Sequence, residues 1–498
     1  MDLFSLKKKI VVVLGLGLHG GGISAAKFCS KAGAHVIVTD KKDAKTLRNS
    51  IEALKGYPIT FVLGEHRKKD IEEADIVLKN PAIPAQSHIL TWANWIETDI
   101  SLFLRTKKDW QQHWGITGSK GKSTTTALLG HVAQQCLSSS VGIAGNIGVS
   151  PLSSASQKLH TLVLELSSFQ LGDLKRVCEQ QSVKKSPFGE KLIPEFSQAF
   201  LTNIYPDHQN RYNSFESYVA DKMALFEFQN PNDQAYIAEQ ALPFIPPVAA
   251  RLHTIGSNDQ HHPEPRVQSI IQNSHSQTRI HSDSITIQDN AGSHIIPFSK
   301  IPMIPSIPNL YAVSFCIQSM LQNEVELNAI LEALHSFKGL PHRMQYLGSF
   351  HGTTIFNDNA ATIPQATQAS LSQFNPTSNP HSAASPVVLI LGGADKNLDL
   401  SPLETIAKNV SAIFLVPGNA SERFKQYLMG IGYQNLHSSY KTFEEACIAA
   451  LKAAHTMPSS VLLCSPGATS FAEFDHEFQR GDAFVTCVHR FFGINQQH

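Results

Sequence analysis

The feature that most constrains this chain is a glycine-containing segment, Gly115–Thr126, which lies between an apolar strand pattern and a helical pattern. Its centre reads Gly118-Ser-Lys-Gly-Lys-Ser-Thr124, which we call the glycine loop. Backbone N–H groups at the start of a helix attract phosphate, and a lysine in such a loop neutralises phosphate oxygens. The template G-x-x-x-x-G-K-[ST] is not met, because Ile116 stands at its first glycine, but the shorter G-x-x-G-K-S is present. The segment therefore predicts ATP binding, with Lys122 on the β- and γ-phosphates and the Ser123 hydroxyl on magnesium.

Length and composition restrict the class of protein. A chain of 498 residues predicts three domains at roughly 150 residues each. Equal numbers of basic and acidic residues, 41 of each, argue against nucleic-acid binding, and no apolar run is long enough to cross a membrane. Seven cysteines without a C-x-x-C pair argue against a disulfide framework or structural zinc. The apolar run near the start is interrupted by glycines and has no cleavage site, so we expect no signal peptide and a cytoplasmic protein.

The order of strand and helix patterns predicts an α/β fold with three domains. Residues 1–108 are typical of a Rossmann-like domain, in which a strand, the Gly15–Gly20 turn and a helix precede a second strand. That strand ends at Asp40, twenty residues after the turn, as a nucleotide-binding turn requires; a structural glycine turn is the alternative. Residues 109–340 form a central P-loop mononucleotide-binding α/β domain with insertions. Residues 341–498 form a C-terminal Rossmann-like α/β domain.

Polar residues that follow two central strand patterns are candidates for chemistry. Glu165 ends an apolar strand, where carboxylates that hold magnesium commonly lie, and a salt-bridged glutamate is the alternative. Asp207 and His208 follow another strand beside the expected ligand crevice. The histidine-rich stretch 256–297 lacks ligand spacing, which favours a solvated loop or β-ribbon over a metal site.

Taken together, motifs from all three predicted domains resemble, in order, the Mur ligase family of peptidoglycan synthesis. Besides the glycine loop they are Gly145-Asn146-Ile-Gly148, Glu165-Leu-Ser-Ser-Phe-Gln-Leu171, Asp207-His208, Tyr218-Val-Ala-Asp-Lys222, Phe337-Lys-Gly-Leu-Pro-His-Arg343, Asn357-Asp358, Leu391-Gly-Gly-Ala-Asp-Lys396 and Ser465-Pro-Gly-Ala-Thr-Ser470. The Glu165–Leu171 stretch resembles the D-glutamate-adding branch. The resemblance implies an ATP- and Mg²⁺-dependent amide ligase that joins D-glutamate to UDP-N-acetylmuramoyl-L-alanine through an acyl phosphate.

The resemblance also implies roles for individual residues. Those implied in catalysis are Lys122, Glu165, His208 and Lys222, and those implied as metal ligands are Ser123, Glu165, His208 and Lys222, the last typically carbamylated in the family. Those implied in ATP binding are Gly118, Ser119, Lys120, Gly121, Lys122, Ser123, Thr124, Asn309, Arg343 and Asp358. Those implied in UDP-sugar binding are Gly17, Leu18, His19, Asp40, Asn80, Asn146 and His208. Those implied in amino-acid binding are Thr362, Lys396, Ser470 and Phe471.

Three stretches depart from the family pattern. In one, Phe474–Gly481, an aromatic is shifted by one place, and the other two each contain an alanine. Ala360 stands where a lysine is usual, and Ala312 stands where an asparagine is usual. Two alternatives therefore remain: a Mur-type or folylpolyglutamate-type ligase with a different acceptor, and a non-catalytic nucleotide-binding relative. We expect a monomer that binds neither nucleic acid nor a membrane.

Overall fold

A computed structural model describes most of the chain. His19, His208 and Lys396 lie outside the described residues, and at Asn309 only the backbone is described. The chain divides into two compact units, and the division falls between Phe337 and Lys338. Among the described residues, no helix is both long and apolar enough to cross a membrane. The described ranges are 6–18, 20–106, 111–155, 157–207, 211–257, 264–289, 292–301, 307–374, 385–395, 398–471, 473–474 and 476–494.

The first sheet of the larger unit has five parallel strands. They are β1 (Ile10–Leu14), β2 (His35–Asp40), β3 (Ile59–Leu63), β4 (Ile76–Lys79) and β5 (Ile96–Glu97), in the order β3-β2-β1-β4-β5. Its helices are α1 (Gly21–Lys31), α2 (Arg48–Glu52), α3 (Lys68–Glu72) and α4 (Asp99–Leu104). The strand order reverses at β1, so the Gly15–Gly20 turn lies at a topological switch point, where α/β sheets bind ligands.

The second sheet of the larger unit has nine strands. They are β6 (Gln112–Thr117), β7 (Val141–Gly145), β8 (Thr161–Glu165), β9 (Gln198–Leu201), β10 (Gln234–Ala238), β11 (Arg251–Ser257), β12 (Ser276–Ile280), β13 (Ser284–Asp289) and β14 (Gly292–Pro297). The order is β14-β13-β12-β11-β10-β9-β6-β8-β7. The β12–β13 and β13–β14 pairs are antiparallel, and the other pairs are parallel. Its helices are α5 (Lys122–Cys136), α6 (Ser168–Gln180), α7 (Phe215–Glu227), α8 (Pro265–Gln272), α9 (Ile307–Gln322) and α10 (Leu327–Ser336).

The smaller unit contains a third sheet of six strands. They are β15 (Gln345–Phe350), β16 (Thr353–Asn357), β17 (Val387–Leu391), β18 (Ala412–Leu415), β19 (Leu436–His437) and β20 (Ser460–Cys464), in the order β15-β16-β20-β17-β18-β19. Only β15 is antiparallel. The helices are α11 (Pro364–Leu371), α12 (Pro402–Lys408), α13 (Asn419–Gly430), α14 (Phe443–His455) and α15 (Glu477–Phe492). Three largely parallel sheets flanked by helices confirm the predicted α/β class.

The central strands of each sheet are buried on both faces, which is why they read as continuous apolar runs. Val11–Leu14, Leu162–Leu164 and Val387–Leu391 are all buried. Within the histidine-rich stretch, the described residues form the end of β11, α8 and β12, and then a β-ribbon in which β13 and β14 pair beyond β12 at the edge of the second sheet. Within the described part of the chain, no three His, Cys, Asp or Glu side chains come together as a metal cluster.

A buried ion pair joins the first two sheets within the larger unit. Lys79 Nζ, at the end of β4, lies 2.5 Å from Asp173 Oδ2 of α6, and both side chains are about 95% buried. Burial lowers the pKa of Lys79 and raises that of Asp173, so for each partner desolvation outweighs the attraction of the other. Such a pair is costly to break from the lysine side, because Asp173 is then left with the partly exposed Arg176, whose Nη1 lies 3.6 Å from Asp173 Oδ1.

We expect Lys79→Met to lower the free energy of unfolding by about 3 kcal/mol, because Asp173 loses its buried partner and retains the more distant, partly exposed Arg176. The double variant Lys79→Met/Asp173→Leu should recover most of that loss, since it buries no charge. Urea unfolding of the two variants and the wild-type protein measures the difference. Equal destabilisation of the single and double variants would contradict this account.

Candidate active site

The glycine loop lies between β6 and α5 and requires its two glycines for steric reasons. Gly118 has φ +146°, and a Cβ there would lie 2.0 Å from Thr202 Oγ1. Gly121 has φ +82° and precedes the first residue of α5 in a left-handed conformation. L-residues with side chains rarely adopt these angles. The loop consequently leads into the helix N-terminus, where backbone N–H groups attract anions.

The loop is held in place by the chain that follows β9. Thr202 Oγ1 donates to the Lys120 carbonyl at 2.6 Å, and Asn203 Oδ1 accepts from Lys120 N at 2.8 Å. Ser119 N donates to the Asn203 carbonyl at 3.0 Å, and Ser119 Oγ lies 2.7 Å from Tyr218 Oη. Sequence reasoning missed Thr202 and Asn203; the available signal was their position directly after a buried strand.

Three lysines surround this loop. Lys122 Nζ donates to the carbonyls of Gly118 and Ser119 at 3.0 and 3.2 Å. Lys222 Nζ, 2% exposed on α7, donates to the same Gly118 carbonyl at 2.7 Å. Burial, followed by the charge of Lys122, lowers the pKa of Lys222 well below its usual value. Lys120 is exposed and pairs with Asp207 at 3.2 Å. The cluster gives the loop a positive potential that suits a polyphosphate.

Glu165 ends β8 beside the glycine loop. In the sheet register it pairs with Ile116 of β6 and Gly145 of β7. Its side chain is 1% exposed; Oε1 accepts from Asn146 Nδ2 at 2.9 Å, while Oε2 has no hydrogen-bond partner among the described residues. No lysine or arginine in the described part of the chain pairs with it. An uncompensated carboxylate oxygen in a dry position is suited to a hard cation such as Mg²⁺.

Part of the Glu165–Leu171 motif serves the fold. Ser167 Oγ accepts from Gln170 N at 3.2 Å, and Gln170 Oε1 accepts from Ser167 N at 3.0 Å. This reciprocal pair is a capping box that begins α6. The serine and glutamine therefore fix the direction in which the chain leaves Glu165.

The predicted UDP-sugar residues of the first sheet hold one another. Asp40 Oδ2 accepts from Gly17 N at 3.0 Å, and Asn80 Nδ2 donates to the Gly15 carbonyl at 3.1 Å. Asp40 thus shapes the turn, in addition to any contact with a ligand. The Leu18 side chain is exposed at the tip of the same turn.

The smaller unit contains the remaining predicted residues. Asp358 Oδ2 accepts from Ser370 Oγ and Ser465 Oγ, and burial raises its pKa to about 6. Arg343 is exposed and Thr362 is half-buried. The two predicted amino-acid-binding residues after β20 differ in burial: Ser470 is buried with an unpartnered hydroxyl among the described residues, whereas Phe471 is exposed.

Comparison with known proteins identifies the class to which this fold and site belong. Residues 116–304 match the model of the Mur ligase middle domain, and residues 8–100 match that of the Mur ligase MurD-like N-terminal domain. The chain belongs to the Mur ligase family.

Individual relatives place it more narrowly. The chain is 33% identical to the UDP-N-acetylmuramoylalanine–D-glutamate ligase of Roseiflexus sp. (strain RS-1), over 98% of this chain and 99% of that protein. It is 32% identical to the ligase of the same name from Treponema pallidum (strain Nichols), over 98% of each. Among solved structures, the UDP-N-acetylmuramate-alanine ligase MurC of Thermotoga maritima has a TM-score of 0.55 at 17% identity, covering 97% of this chain and 99% of that one. The MurF ligase of Thermotoga maritima in complex with ADP has a TM-score of 0.53 at 14% identity, covering 99% of this chain and all of that one.

We expect Gly118→Ala to weaken ATP binding by about 100-fold or more, since the new methyl group must displace Thr202 and with it the loop. Gly56→Ala is the matched control, because Gly56 also has a positive φ, +88°, but no atom lies within 4 Å of its Cβ position. Titration of each variant with ATP and Mg²⁺ by calorimetry tests the prediction. Equal weakening in both variants would show that backbone strain, not the contact with Thr202, is responsible.

Proposed function

We propose that this protein is an ATP-dependent ligase that joins D-glutamate to UDP-N-acetylmuramoyl-L-alanine in peptidoglycan precursor synthesis. One observation carries the proposal: Lys122 and Lys222 converge on the Gly118 carbonyl, and Glu165, with one carboxylate oxygen unpartnered among the described residues, pairs in the sheet with Ile116, two residues before that glycine. This is a site for a polyphosphate and its cation. The names of full-length relatives at 32–33% identity support the choice of acceptor.

The chemistry follows from the low reactivity of a carboxylate toward an amine. Transfer of the γ-phosphoryl group of ATP to the carboxylate of the alanyl residue produces an acyl phosphate with a good leaving group. The amine of D-glutamate then attacks the acyl carbon, and inorganic phosphate leaves as the amide forms. Lys122 stabilises the negative charge that spreads over the phosphoryl oxygens during transfer. Glycine-loop N–H groups hold the phosphates in line.

Mg²⁺ fits the residues present. Magnesium in nucleotide sites is usually held by one or two protein ligands together with substrate phosphates and water. Glu165 Oε2 and the Ser123 hydroxyl are the protein ligands that we assign, and His208 is a further candidate. When bound, the ion neutralises phosphate charge and polarises the γ-phosphoryl group.

Lys222 fits the carbamylated lysine that family resemblance implies. An amine adds carbon dioxide only in its neutral form, and burial favours the neutral form of Lys222. Carbamylation would replace the buried neutral amine with an anion that accepts from donors or binds Mg²⁺. The carbonyl of Gly118 is the one acceptor that Lys222 Nζ has among the described residues.

The remaining assignments complete the proposal. We assign residues 1–108 to the UDP-sugar, 109–340 to ATP, and 341–498 to the amino acid. Within these regions the ligands are the residues that the family resemblance implies. We propose a monomeric, cytoplasmic enzyme; the seven free cysteines are compatible with a reducing compartment.

We expect Lys122→Ala to reduce turnover by about 1,000-fold or more, because the transferring phosphoryl group loses its cation. The fold should persist, since Lys122 is only partly buried. Lys158→Ala is the control, a charge removal at an exposed position in the loop that precedes β8 of the same sheet. Phosphate release and circular dichroism are the measurements. Near-normal turnover of the Lys122 variant would place the ATP site elsewhere.

Acceptor identity requires its own experiment. Purified protein is supplied with UDP-N-acetylmuramoyl-L-alanine, ATP and Mg²⁺, and phosphate release is measured with a panel of D- and L-amino acids. We expect release with D-glutamate. Release with another amino acid would favour a ligase of different acceptor, and ATP binding without release would favour a non-catalytic relative.

A further inference from the structure

The smaller unit buries an arginine without a counter-charge. Arg480 of α15 is 1% exposed. Its Nε donates to Asn359 Oδ1 at 2.8 Å, and its Nη2 donates to the carbonyls of Asn359 and Ala468 at 3.2 and 3.0 Å. All of these acceptors are uncharged, and no carboxylate forms an ion pair with Arg480 in the described part of the chain. A buried guanidinium without an anion is unfavourable for folding.

The charge of Arg480 persists at neutral pH. Burial lowers its pKa to about 10, which still leaves the group protonated. The nearby carboxylate of Asp358 does not pair with it, because Asp358 accepts from Met344 N, Ser370 Oγ and Ser465 Oγ. Glu477, one turn earlier on α15, is half-exposed; its charge attracts Arg480 at a distance, without forming an ion pair. Neither Asp358 nor Glu477 therefore makes the direct contact that would compensate the guanidinium.

Arg480 contacts three loops that follow parallel strands of the third sheet. Asn359 lies in the loop after β16, and Ala468 lies in the loop after β20. Arg480 Nη1, which has no hydrogen-bond partner among the described residues, faces the loop after β17. A Cβ built on Gly393 of that loop would lie 3.1 Å from Nη1. The guanidinium consequently lies where the carboxyl ends of three strands meet, which is the ligand-binding edge of an α/β sheet.

Two of these loops lead to a residue assigned to amino-acid binding. Thr362 follows Asn359 by three residues, and Ser470 follows Ala468 by two. The buried charge therefore contacts the loops that carry Thr362 and Ser470. Two buried polar atoms in this region, Arg480 Nη1 and Ser470 Oγ, lack partners among the described residues.

We propose that Arg480 is the fixed counter-charge that makes this site select an acidic amino acid over a neutral one. It acts as a positioning residue: it holds two of the loops by their carbonyls, and its uncompensated charge attracts a carboxylate of the incoming amino acid. The inference rests on the proposed function, because it assumes that the smaller unit binds the amino acid.

The test replaces Asn359, which contacts Arg480, with either a carboxylate or an uncharged side chain. Asn359→Asp and Asn359→Leu both remove the hydrogen bonds that Asn359 Nδ2 donates to Asn357 Oδ1 and Cys464 Sγ. Only the aspartate neutralises the guanidinium. We expect the KM for D-glutamate to rise about tenfold more in Asn359→Asp than in Asn359→Leu, which corresponds to about 1.4 kcal/mol. The KM for ATP should be similar in the two variants.

An equal rise in both variants would overturn the proposal, because loop geometry alone would then explain the effect. Asn435→Asp, an exposed position at the opposite edge of the same sheet, controls for added charge and should leave the KM for D-glutamate unchanged. Melting temperatures report whether each variant is folded.

Two further arms remain informative if the Asn359 variants do not fold. Arg480→Lys should retain a lower KM for D-glutamate than Arg480→Met, because it keeps the charge. In wild-type protein supplied with labelled D-glutamate, unlabelled D-glutamine should inhibit incorporation of the label at least about tenfold more weakly than unlabelled D-glutamate does. Equal inhibition would refute charge selection.

If wild-type protein uses a different acidic amino acid, the D-glutamate assignment fails, and the role of Arg480 is tested with that substrate. Use of a neutral amino acid alone would overturn both.

Discussion

The close contact between the glycine loop and the chain after β9 is the constraint on which the rest of the larger unit depends. The α-carbon of Gly118 approaches Thr202 so closely that no side chain fits between them. Because that approach fixes the loop, it also fixes the start of α5 and the position of Lys122. The Gly118 carbonyl then becomes a shared acceptor for Lys122 and Lys222. A steric condition at one glycine thus brings two lysine side chains to one carbonyl.

Local patterns in the sequence were sufficient to predict the α/β architecture and part of the candidate site. Ile10–Leu14 forms β1 as predicted, because a buried parallel strand leaves a continuous apolar run. The glycine loop lies between a strand and a helix, as its flanking patterns indicate. Glu165 ends its strand, and one of its carboxylate oxygens has no partner among the described residues. Its apolar neighbours in the sequence predicted that its side chain is buried.

What the sequence did not show depends on contacts between distant segments. The bonds from Thr202 and Asn203 to Lys120 join residues more than 80 positions apart, and no local periodicity encodes them. Asp40 was expected to face a ligand, and its additional bond to Gly17 N depends on how two strands pair. Ser167 and Gln170 appeared as part of a functional motif, yet their side chains cap a helix. A motif that resembles a family's functional signature can therefore contain residues that determine the direction of the chain.

The nine-stranded sheet shows where such a protein can accept extra sequence. Strand β7, at one margin, ends at Gly145, and the next residue, Asn146, donates to Glu165, so strands added on that side would lie next to this contact. The opposite margin ends in the β13–β14 ribbon, five strands and more from β6. Strands added beyond β14 would therefore be far from Glu165 and the glycine loop. His281, between β12 and β13, and His294 of β14 lie at that far margin.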